Sequence, residues 1–557
     1  MMQATHEVFN QALPRSGNNL LDDNAALRDA IAFNAPQLAT AELARLGAVL
    51  ATPEMQTHAR LANVYPPQLH THDRFGRRED RVEFHPSYHA LMSLAVGSGL
   101  HGTPWGGVAD DHVRRAAGFM LFTELEPSVL CPISMTFAVT PALRANPALA
   151  AQWGPLLVSR SYDPRFVEGT AKPGVTMGMG MTEKQGGSDV RANTTRATPA
   201  GSDAWGRRFE IVGHKWFLSA PMSDAFLVLA QSAGGMSCFF MPRLLPDGSV
   251  NAIRIQRLKD KLGNKANASS EVEFEGASAW LVGEEGRGVA QILEMGALTR
   301  LDCALGTSGL MRQALTLALD HTAQRAAFGK PLADQPLMKN VLADLALESE
   351  AATALTLRVA RTLDHPHDAH EALMRRVLTP VAKFWICKRG SHFAQEAMEC
   401  LGGNGYVEEG GEGALARIYR EMPVNSIWEG AGNIMGIDLL RALRKGGREG
   451  SVVDALAAEI EPARGAHPAL DRARDALLAS ADGATDEAGA RRLAQDTALV
   501  VQAALLRRHA PDFVFEAFCA SRFDAGWGRA FGTLDAARAD LDAINARALP
   551  RREAARS

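Results

Sequence analysis

Residues 177–190 read Met-Gly-Met-Gly-Met-Thr-Glu-Lys-Gln-Gly-Gly-Ser-Asp-Val and open the central part of the chain. Their glycines let a ligand approach the backbone closely, and Thr182 and Ser188 add hydroxyl groups. Backbone N–H groups in such a loop suit a ring system that carries a pyrophosphate. The spacing matches neither the Gly-Lys-Ser/Thr phosphate loop nor the three-glycine dinucleotide loop. This segment alone is compatible with two interpretations, a cofactor site and a glycine-rich hairpin without a ligand.

Short β-type segments follow this loop up to about residue 283. Runs rich in β-branched and aromatic residues occur at 209–212, 215–219, 226–230, 237–241 and 272–274, with a turn predicted at 213–214. Residues 174–287 are therefore predicted to form a middle β domain.

Helical patterns flank this domain on both sides. Residues 1–173 contain apolar and alanine-rich segments without recognisable strands, which predicts an N-terminal helical domain. In residues 288–446 apolar residues recur at three- and four-residue spacing, as in a helical bundle. Residues 447–557 are rich in alanine and arginine, which predicts an extra C-terminal helical domain. The predicted fold class is α+β.

The composition is that of an ordinary globular protein of several domains. The chain has 557 residues, of which 46% are hydrophobic and 22% are charged. With 59 basic and 63 acidic residues the net charge is −4, which gives no overall attraction to nucleic acid or to a membrane. The first residues lack a basic segment followed by an apolar one, and no run of about 18 apolar residues occurs. We expect a soluble, cytoplasmic protein without a membrane partner.

Cysteines and histidines give no metal-binding pattern. The six cysteines are scattered without C-x-x-C spacing, and most have apolar surroundings, which favours reduced core thiols. His365, His367 and His370 lie close together in a polar stretch, where a solvated loop between helices is favoured over a metal site. We predict no metal.

One acid stands between a bulky ring and a glycine in the triplet Trp428-Glu429-Gly430. A carboxylate held against an indole in a water-poor cleft has its charged form disfavoured, which makes it a candidate general base. Gly430 lets a substrate approach the backbone closely. On its own, the triplet also fits a half-exposed loop acid beside a packed tryptophan.

Five segments, in order, resemble the motifs of acyl-CoA dehydrogenases. They are residues 182–189, 215–219, 325–331, 401–406 and 428–430. The sequence around them, including 60–64 and 257–264, is similar to the AidB-like subfamily, the adaptive-response proteins. The resemblance extends from near the N-terminus to about residue 447. It implies a helical domain, a middle β-barrel domain and a helical bundle, in that order.

The resemblance also implies that FAD is the cofactor. Matching positions for the flavin and its phosphates are Met179, Met181, Thr182, Gly187, Ser188, Phe217 and Ser219, with Trp428 and Asn433 also matching cofactor positions. Matching positions for the adenosine end are Arg325, Phe328, Gln335, Glu399 and Gly403. Because a neighbouring subunit covers that end in these enzymes, the resemblance predicts a homotetramer.

The implied reaction is α,β-desaturation of an acyl-CoA thioester. A base removes the α-proton while a hydride leaves the β-carbon for the flavin, so base and flavin must face opposite sides of one C–C bond. Glu429 matches the base of the family. Some relatives carry the base on a helix, one residue before an arginine that matches Arg300. Thr299 occupies that place here, which leaves Glu429 as the predicted base.

Several positions depart from the family pattern. Ala431 and Asn433 replace a small hydroxyl residue and a glutamine, and Glu399 stands where glutamine is common, so flavin affinity and redox potential are expected to differ. Trp428 is larger than the tyrosine frequent at its position. It favours a short or branched acyl chain if it narrows the cleft, and has no such effect if it packs into the wall.

The subfamily resemblance carries a second functional hypothesis, a DNA-binding flavoprotein of the alkylation stress response with weak dehydrogenase activity. Residues 441–557 contain 18 Lys and Arg against 17 Asp and Glu, a net charge of +1, so duplex DNA would need a local cluster of cations. The candidates are Arg441, Arg444, Lys445 and Arg448, or Arg551, Arg552 and Arg556. Solvated helix ends and a frayed tail explain the same residues. A third hypothesis, a flavin oxidase of nitro compounds, is disfavoured because an aspartate commonly replaces the base there.

Overall fold

The structure is a computed structural model that describes residues 5–411, 413–444, 451–482, 486–524, 528 and 530–550. The chain divides into two compact units. One comprises Glu54–Asp302 together with Trp428–Gly430, and the other comprises Met1–Pro53, Cys303–Ile427 and Ala431–Ser557. The four domains inferred from the sequence stay a prediction.

Helices dominate the described residues at both ends of the chain, and strands lie mainly between them. The α-helices are α1 (Ala25–Asn34), α2 (Ala41–Leu50), α3 (Pro53–Val64), α4 (Pro86–Gly97), α5 (Asp111–Leu125), α6 (Leu130–Ala142), α7 (Pro147–Val158), α8 (Gly288–Gln324), α9 (Pro336–Asp364), α10 (Ala369–Glu399), α11 (Gly403–Tyr406), α12 (Ala414–Asn425), α13 (Gly432–Arg444), α14 (Val452–Ile460), α15 (Pro468–Asp482), α16 (Ala490–His509), α17 (Asp512–Arg522) and α18 (Leu541–Ala548). The strands are β1 (Gln68–His72), β2 (Arg78–Glu83), β3 (Met177–Gly180), β4 (Arg196–Asp203), β5 (Gly206–Ser219), β6 (Ala225–Ser232), β7 (Gly235–Pro242), β8 (Ile253–Leu258), β9 (Ser269–Val282), β10 (Ala326–Ala327) and β11 (Lys330–Pro331).

A seven-stranded sheet forms the centre of the first unit. Its strand order is β3-β6-β4-β5-β9-β7, β8 pairs with β9, and β6 also pairs with β7. Phe209, Phe226, Phe239 and Phe274 are fully or almost fully buried in its core, which matches the aromatic runs in the sequence. Only one residue pair joins β4 to β6, so the β-barrel stays a prediction.

The turn predicted at residues 213–214 is wrong, because β5 continues through Gly213. A register shift lies beside it, between Ile211 and Val212, and Gly213 has a φ of 150°. A Cβ on Gly213 would lie 2.6 Å from the Thr195 Cα. The glycine therefore permits a β-bulge with a close strand contact, and does not end the strand.

An antiparallel hairpin of β1 and β2 lies in the region predicted to contain only helices. In β2 only Asp80 and Val82 are buried, and polar residues occupy most of both strands. A strand signal based on apolar alternation is therefore weak here.

The long helices α8, α9 and α10 confirm the segments predicted from apolar spacing, and α14 to α18 confirm the helical character of the C-terminal region. Within the described residues, no helix combines the length and apolarity needed to cross a bilayer. A cytoplasmic location stays a prediction.

Candidate functional site

The glycine-rich segment predicted to hold a cofactor is fixed to β5 by a buried ion pair. Lys215 Nζ lies 2.8 Å from Glu183 Oε1, and neither side chain is exposed. Glu183 Oε2 also accepts a hydrogen bond from the Thr194 N–H at 2.7 Å. The Trp216 N–H donates to the Thr182 carbonyl oxygen at 2.8 Å. Two of the sequence motifs are thus joined by side-chain and backbone hydrogen bonds.

Electrostatics keep this pair charged. Burial by itself would raise the pKa of Glu183, but hydrogen bonds from Lys215 and Thr195 and the lysine charge outweigh it and hold that pKa at about 2. Burial lowers the pKa of Lys215, and its bond to the carboxylate offsets part of that effect. The sequence motifs contained both residues, but the sequence assigned no role to either. The sequence signal for this ion pair is an acid in one motif and a lysine in the next motif along the chain.

The residues predicted to contact a flavin differ in their exposure. Met179 is buried, and Met181, Thr182 and Ser219 are partly buried. Gly187, Ser188 and Phe217 are exposed, with 47% of the Phe217 surface accessible. The Ser219 and Ser269 hydroxyls lie 3.0 Å apart.

Gly187 shows why this loop requires glycine. A Cβ at that position would lie 2.3 Å from Thr182 Oγ1, closer than any side chain tolerates. The loop therefore brings its backbone directly against the threonine hydroxyl.

Glu429 adopts a left-handed backbone conformation, with a φ of 60°, which is uncommon for a residue other than glycine. Thr299 Oγ1 donates to Glu429 Oε2 at 2.8 Å, and Arg300 Nε donates to the Glu429 carbonyl oxygen at 2.9 Å. Both partners lie on α8, and Thr299 is buried. Such a backbone conformation persists where neighbours hold it, as these two side chains do.

This arrangement presents one carboxylate with two unequal oxygens. Thr299 engages Oε2, and Oε1 takes no part in that hydrogen bond. In the sequence, Thr299 was noted only because it occupies the alternative base position without being an acid. Its hydrogen bond to Glu429 was not predicted. The neighbouring Trp428 is partly buried, and its Nε1 has no hydrogen-bond partner among the described residues.

In the second unit, three residues predicted at the adenosine end lie on or beside the small β10–β11 hairpin. Phe328 is 98% exposed at its tip, with a φ of 53°. Arg325 Nη1 donates to Gln11 Oε1 at 3.2 Å. Gln335 Nε2 donates to the Ala327 carbonyl oxygen at 2.9 Å. The hairpin thus groups Arg325, Phe328 and Gln335.

The remaining predicted residues of this unit lie on other elements. Glu399 and Gly403 are exposed at the end of α10 and the start of α11. Asn433 Oδ1 accepts a hydrogen bond from Arg491 Nη1 at 2.9 Å, which ties α13 to α16.

Of the cations proposed for DNA, Arg441 forms an ion pair with Asp438 at 3.0 Å, and Arg444 closes α13. Five others lie outside the described residues, namely Lys445, Arg448, Arg551, Arg552 and Arg556.

Three family models match the chain. They are the adaptive response protein AidB N-terminal domain over residues 10–164, the acyl-CoA dehydrogenase middle domain over 178–277 and the acyl-CoA dehydrogenase C-terminal domain over 286–444. The AidB protein of Escherichia coli (strain K12) is 48% identical over 527 residues, which cover 94% of this chain and 95% of that protein.

Solved structures share the fold. Caenorhabditis elegans ACDH-11, in complex with C11-CoA, superposes with a TM-score of 0.82 at 27% identity and covers 95% of both chains. A Bacillus anthracis acyl-CoA dehydrogenase complexed with FAD has a TM-score of 0.67 at 17% identity, over 91% of this chain and 90% of the other.

Proposed function

Because the chain belongs to the acyl-CoA dehydrogenase family, in its AidB-like branch, we propose that it is an FAD-dependent enzyme that desaturates an acyl-CoA thioester with Glu429 as the base. The observation that carries the proposal is that neighbouring side chains hold Glu429 in one conformation. Thr299 and Arg300 fix its side chain and its backbone carbonyl from one helix, which is the pre-organisation that proton abstraction needs.

The residues of the first unit fit FAD. Phe217 offers an exposed ring on the strand that also carries Ser219, and a planar ring ligand can stack on it. Gly187 keeps the loop backbone close to the Thr182 hydroxyl, and backbone N–H groups in a loop of this kind suit phosphate oxygens. FAD held there would supply the acceptor for the hydride that leaves the substrate β-carbon. Met179, Met181 and Ser188 complete the proposed contacts.

The chain's own groups supply the proton chemistry. Glu429 Oε1 takes the α-proton, because Oε2 is already engaged by Thr299. The Glu429 N–H donates to the thioester oxygen as negative charge develops there. Arg300 and Gly430, whose φ is 104°, keep the adjoining peptide in the conformation that this requires.

The proposed substrate is a short or branched acyl-CoA, because Trp428 adds bulk beside the base. The C. elegans relative was solved with C11-CoA, which supports a CoA thioester as the substrate class. The proposed assembly is a homotetramer in which a second copy covers the adenosine end. Phe328 and Leu337, 98% and 83% exposed, are the apolar side chains in this region that such a copy would bury.

The decisive experiment is anaerobic flavin bleaching by short-chain acyl-CoA thioesters. The wild type should bleach, and Glu429→Gln should bleach at least about a hundred times more slowly, because the amide cannot take the proton. Glu408→Gln is the matched control, since Glu408 is an exposed acid paired with Arg420, and it should bleach like the wild type.

Equal rates in Glu429→Gln and the wild type would eliminate Glu429 as the base. A colourless protein that cannot be reconstituted with FAD would refute the cofactor assignment.

DNA binding is the alternative function that the same preparation tests. The described arginines of the C-terminal helices lie largely in ion pairs with acids, such as Arg464 with Glu461 and Arg492 with Asp496, which offsets their attraction for phosphates. Salt-sensitive duplex binding, with no bleaching by any thioester, would favour the alternative over the dehydrogenase.

A further inference from the structure

Two exposed cations lie beside the first turn of α13, within the second compact unit. Lys388, on α10, lies against Gly432, where a Cβ would come within 2.9 Å of the Lys388 Cε. Arg491, on α16, donates from Nη1 to Asn433 Oδ1 at 2.9 Å. Both cations are accessible to a ligand, because both side chains are exposed.

The packing of α16 against α13 fixes the position of Arg491. A Cβ on Gly436 would lie 3.2 Å from the Ala490 Cβ, so the two helices approach closely one residue before the arginine. The Arg491 guanidinium lies 5.4 Å from the centroid of the Phe384 ring. Because Phe384 and Lys388 are four residues apart on α10, they share one face of that helix. Both cations therefore lie at the same end of α13.

The charges of these two side chains are not compensated by acids. Arg492, the neighbour of Arg491 on α16, pairs with Asp496 at 2.8 Å. Within the part of the chain that the structure describes, neither Arg491 nor Lys388 forms an ion pair. Two uncompensated positive charges match an anion with two negative charges, such as a pyrophosphate.

The side-chain amide of Asn433 adds a neutral donor to this pair. Its Oδ1 accepts from Arg491, which leaves its Nδ2 as a donor with no partner among the described residues. Asn433 matches a cofactor position at which acyl-CoA dehydrogenases commonly have the longer glutamine. The two cations offset the shorter reach of asparagine, because a charged donor binds a phosphate oxygen about twice as strongly as a neutral donor.

We propose that Arg491, Lys388 and Asn433 bind the pyrophosphate of FAD, so that the C-terminal region after residue 447 contributes a side chain to the cofactor site. This inference rests on the proposed FAD-dependent function. Arg491 has two roles, since it adds a positive charge and holds the Asn433 amide with its NH2 group available to donate. The proton chemistry of Glu429 takes no part in it.

The test measures how fast the full-length holoprotein releases FAD after dilution, followed by the rise in flavin fluorescence. Arg491→Met and Lys388→Met should each release FAD at least about tenfold faster than the wild type, because each loses a charged contact to phosphate. Arg492→Met is the matched control, since Arg492 is also exposed on α16 but already pairs with Asp496. It should release FAD at the wild-type rate.

Two further measurements separate the effect of charge from an effect on structure. Added salt should speed FAD release from the wild type more than from Arg491→Met, because ions screen an exposed charge. Arg491→Lys keeps the charge and should release FAD at close to the wild-type rate. A salt response equal in the wild type and Arg491→Met, or an Arg491→Lys variant as fast as Arg491→Met, would overturn the proposal.

Phosphates of a CoA thioester or of duplex DNA are attracted by the same charges. If Arg491→Met keeps the wild-type rate of FAD release but binds one of these ligands more weakly, the site belongs to that ligand and the proposal is wrong. Unchanged FAD release in both Met variants would refute this inference alone. A wild type that holds no FAD would refute the proposed function together with it.

Discussion

Thr299 donates a hydrogen bond to the carboxylate that we propose as the base, and so acts as a positioning residue. Thr299→Val removes the hydroxyl and keeps the side-chain shape. The rate of anaerobic flavin reduction should fall by roughly tenfold, because the carboxylate loses the partner that orients it. Thr299→Ser keeps the hydroxyl and should retain most of the rate. A Val variant as fast as the wild type would show that Oε2 needs no partner.

Lys215 neutralises a carboxylate that has no access to water. Lys215→Met should lower the free energy of unfolding by about 3–5 kcal/mol, because it leaves Glu183 buried and unpaired. The measurement is urea unfolding of the two proteins. Arg254→Met serves as the control, since Arg254 pairs with Glu275, which is more than half exposed, and its loss should cost less than about 1 kcal/mol. Equal losses in both variants would contradict the role of burial.

Glu429 could be predicted from the sequence, but the side chains that hold it could not. The motif made the acid a candidate base, whereas its hydrogen bond from Thr299 joins positions 130 residues apart, which no local pattern encodes. The ion pair of Glu183 with Lys215 could be predicted more readily, because both residues belong to motifs that were recognised in the sequence. Only the fold shows that the two charges meet.

At the scale of elements, α14 is held to α9 and α10 by one buried acid. Glu459 accepts hydrogen bonds from Arg358 Nε and Nη2, both at 2.8 Å, and lies 2.9 Å from His370 Nε2. Glu459→Gln should sharply reduce the hydrogen-exchange protection of α14 at pH 7, because Arg358 loses one of its two acids. Glu461→Gln is the matched control, since Glu461 pairs with Arg464 on the surface and its loss should leave α14 protected.

The same acid predicts a dependence on pH. Burial by itself would raise the pKa of Glu459, but hydrogen bonds from His370 and Arg358 outweigh it and hold that pKa at about 2. In the unfolded chain its pKa is about 4.3, so the stabilisation is complete above that value and is lost as the pH falls toward 2. The difference in urea midpoint between the wild type and Glu459→Gln should therefore shrink from pH 5 to pH 3. A constant difference would contradict this assignment.

Element prediction succeeded where one physical signal dominates. Apolar residues at three- and four-residue spacing identified α8, α9 and α10, although each helix contains a stretch that is buried on every face, namely 301–312, 342–349 and 377–387. Gly213 led to a wrong turn prediction, because glycine occurs in both turns and β-bulges. Only its close contact with the Thr195 backbone, which the sequence does not show, identifies the bulge. His370 was placed in a solvated loop, but it lies on α10 and contacts Glu459.

At the scale of the whole molecule, the proposed tetramer depends on apolar side chains left exposed on a single chain. Leu337→Asp should convert the tetramer to smaller species and weaken FAD retention, because each copy loses about 2 kcal/mol of apolar burial and gains a buried charge. Light scattering measures the assembly and absorbance measures the flavin. Val212→Asp, at a 59% exposed position on β5, should leave both unchanged. A tetramer that survives Leu337→Asp would exclude this surface from the interface.

The grouping of Trp428–Gly430 with residues 54–302 has a consequence for synthesis on the ribosome. Thr299 and Arg300 leave the ribosome about 130 residues before the acid that they hold. At ordinary elongation rates this interval lasts between about 6.5 and 26 s. Throughout it the growing chain already carries its glycine-rich loop but lacks the acid that we propose as the proton acceptor. Any product that terminates before residue 428 would inherit the same defect permanently, whatever cofactor it had acquired.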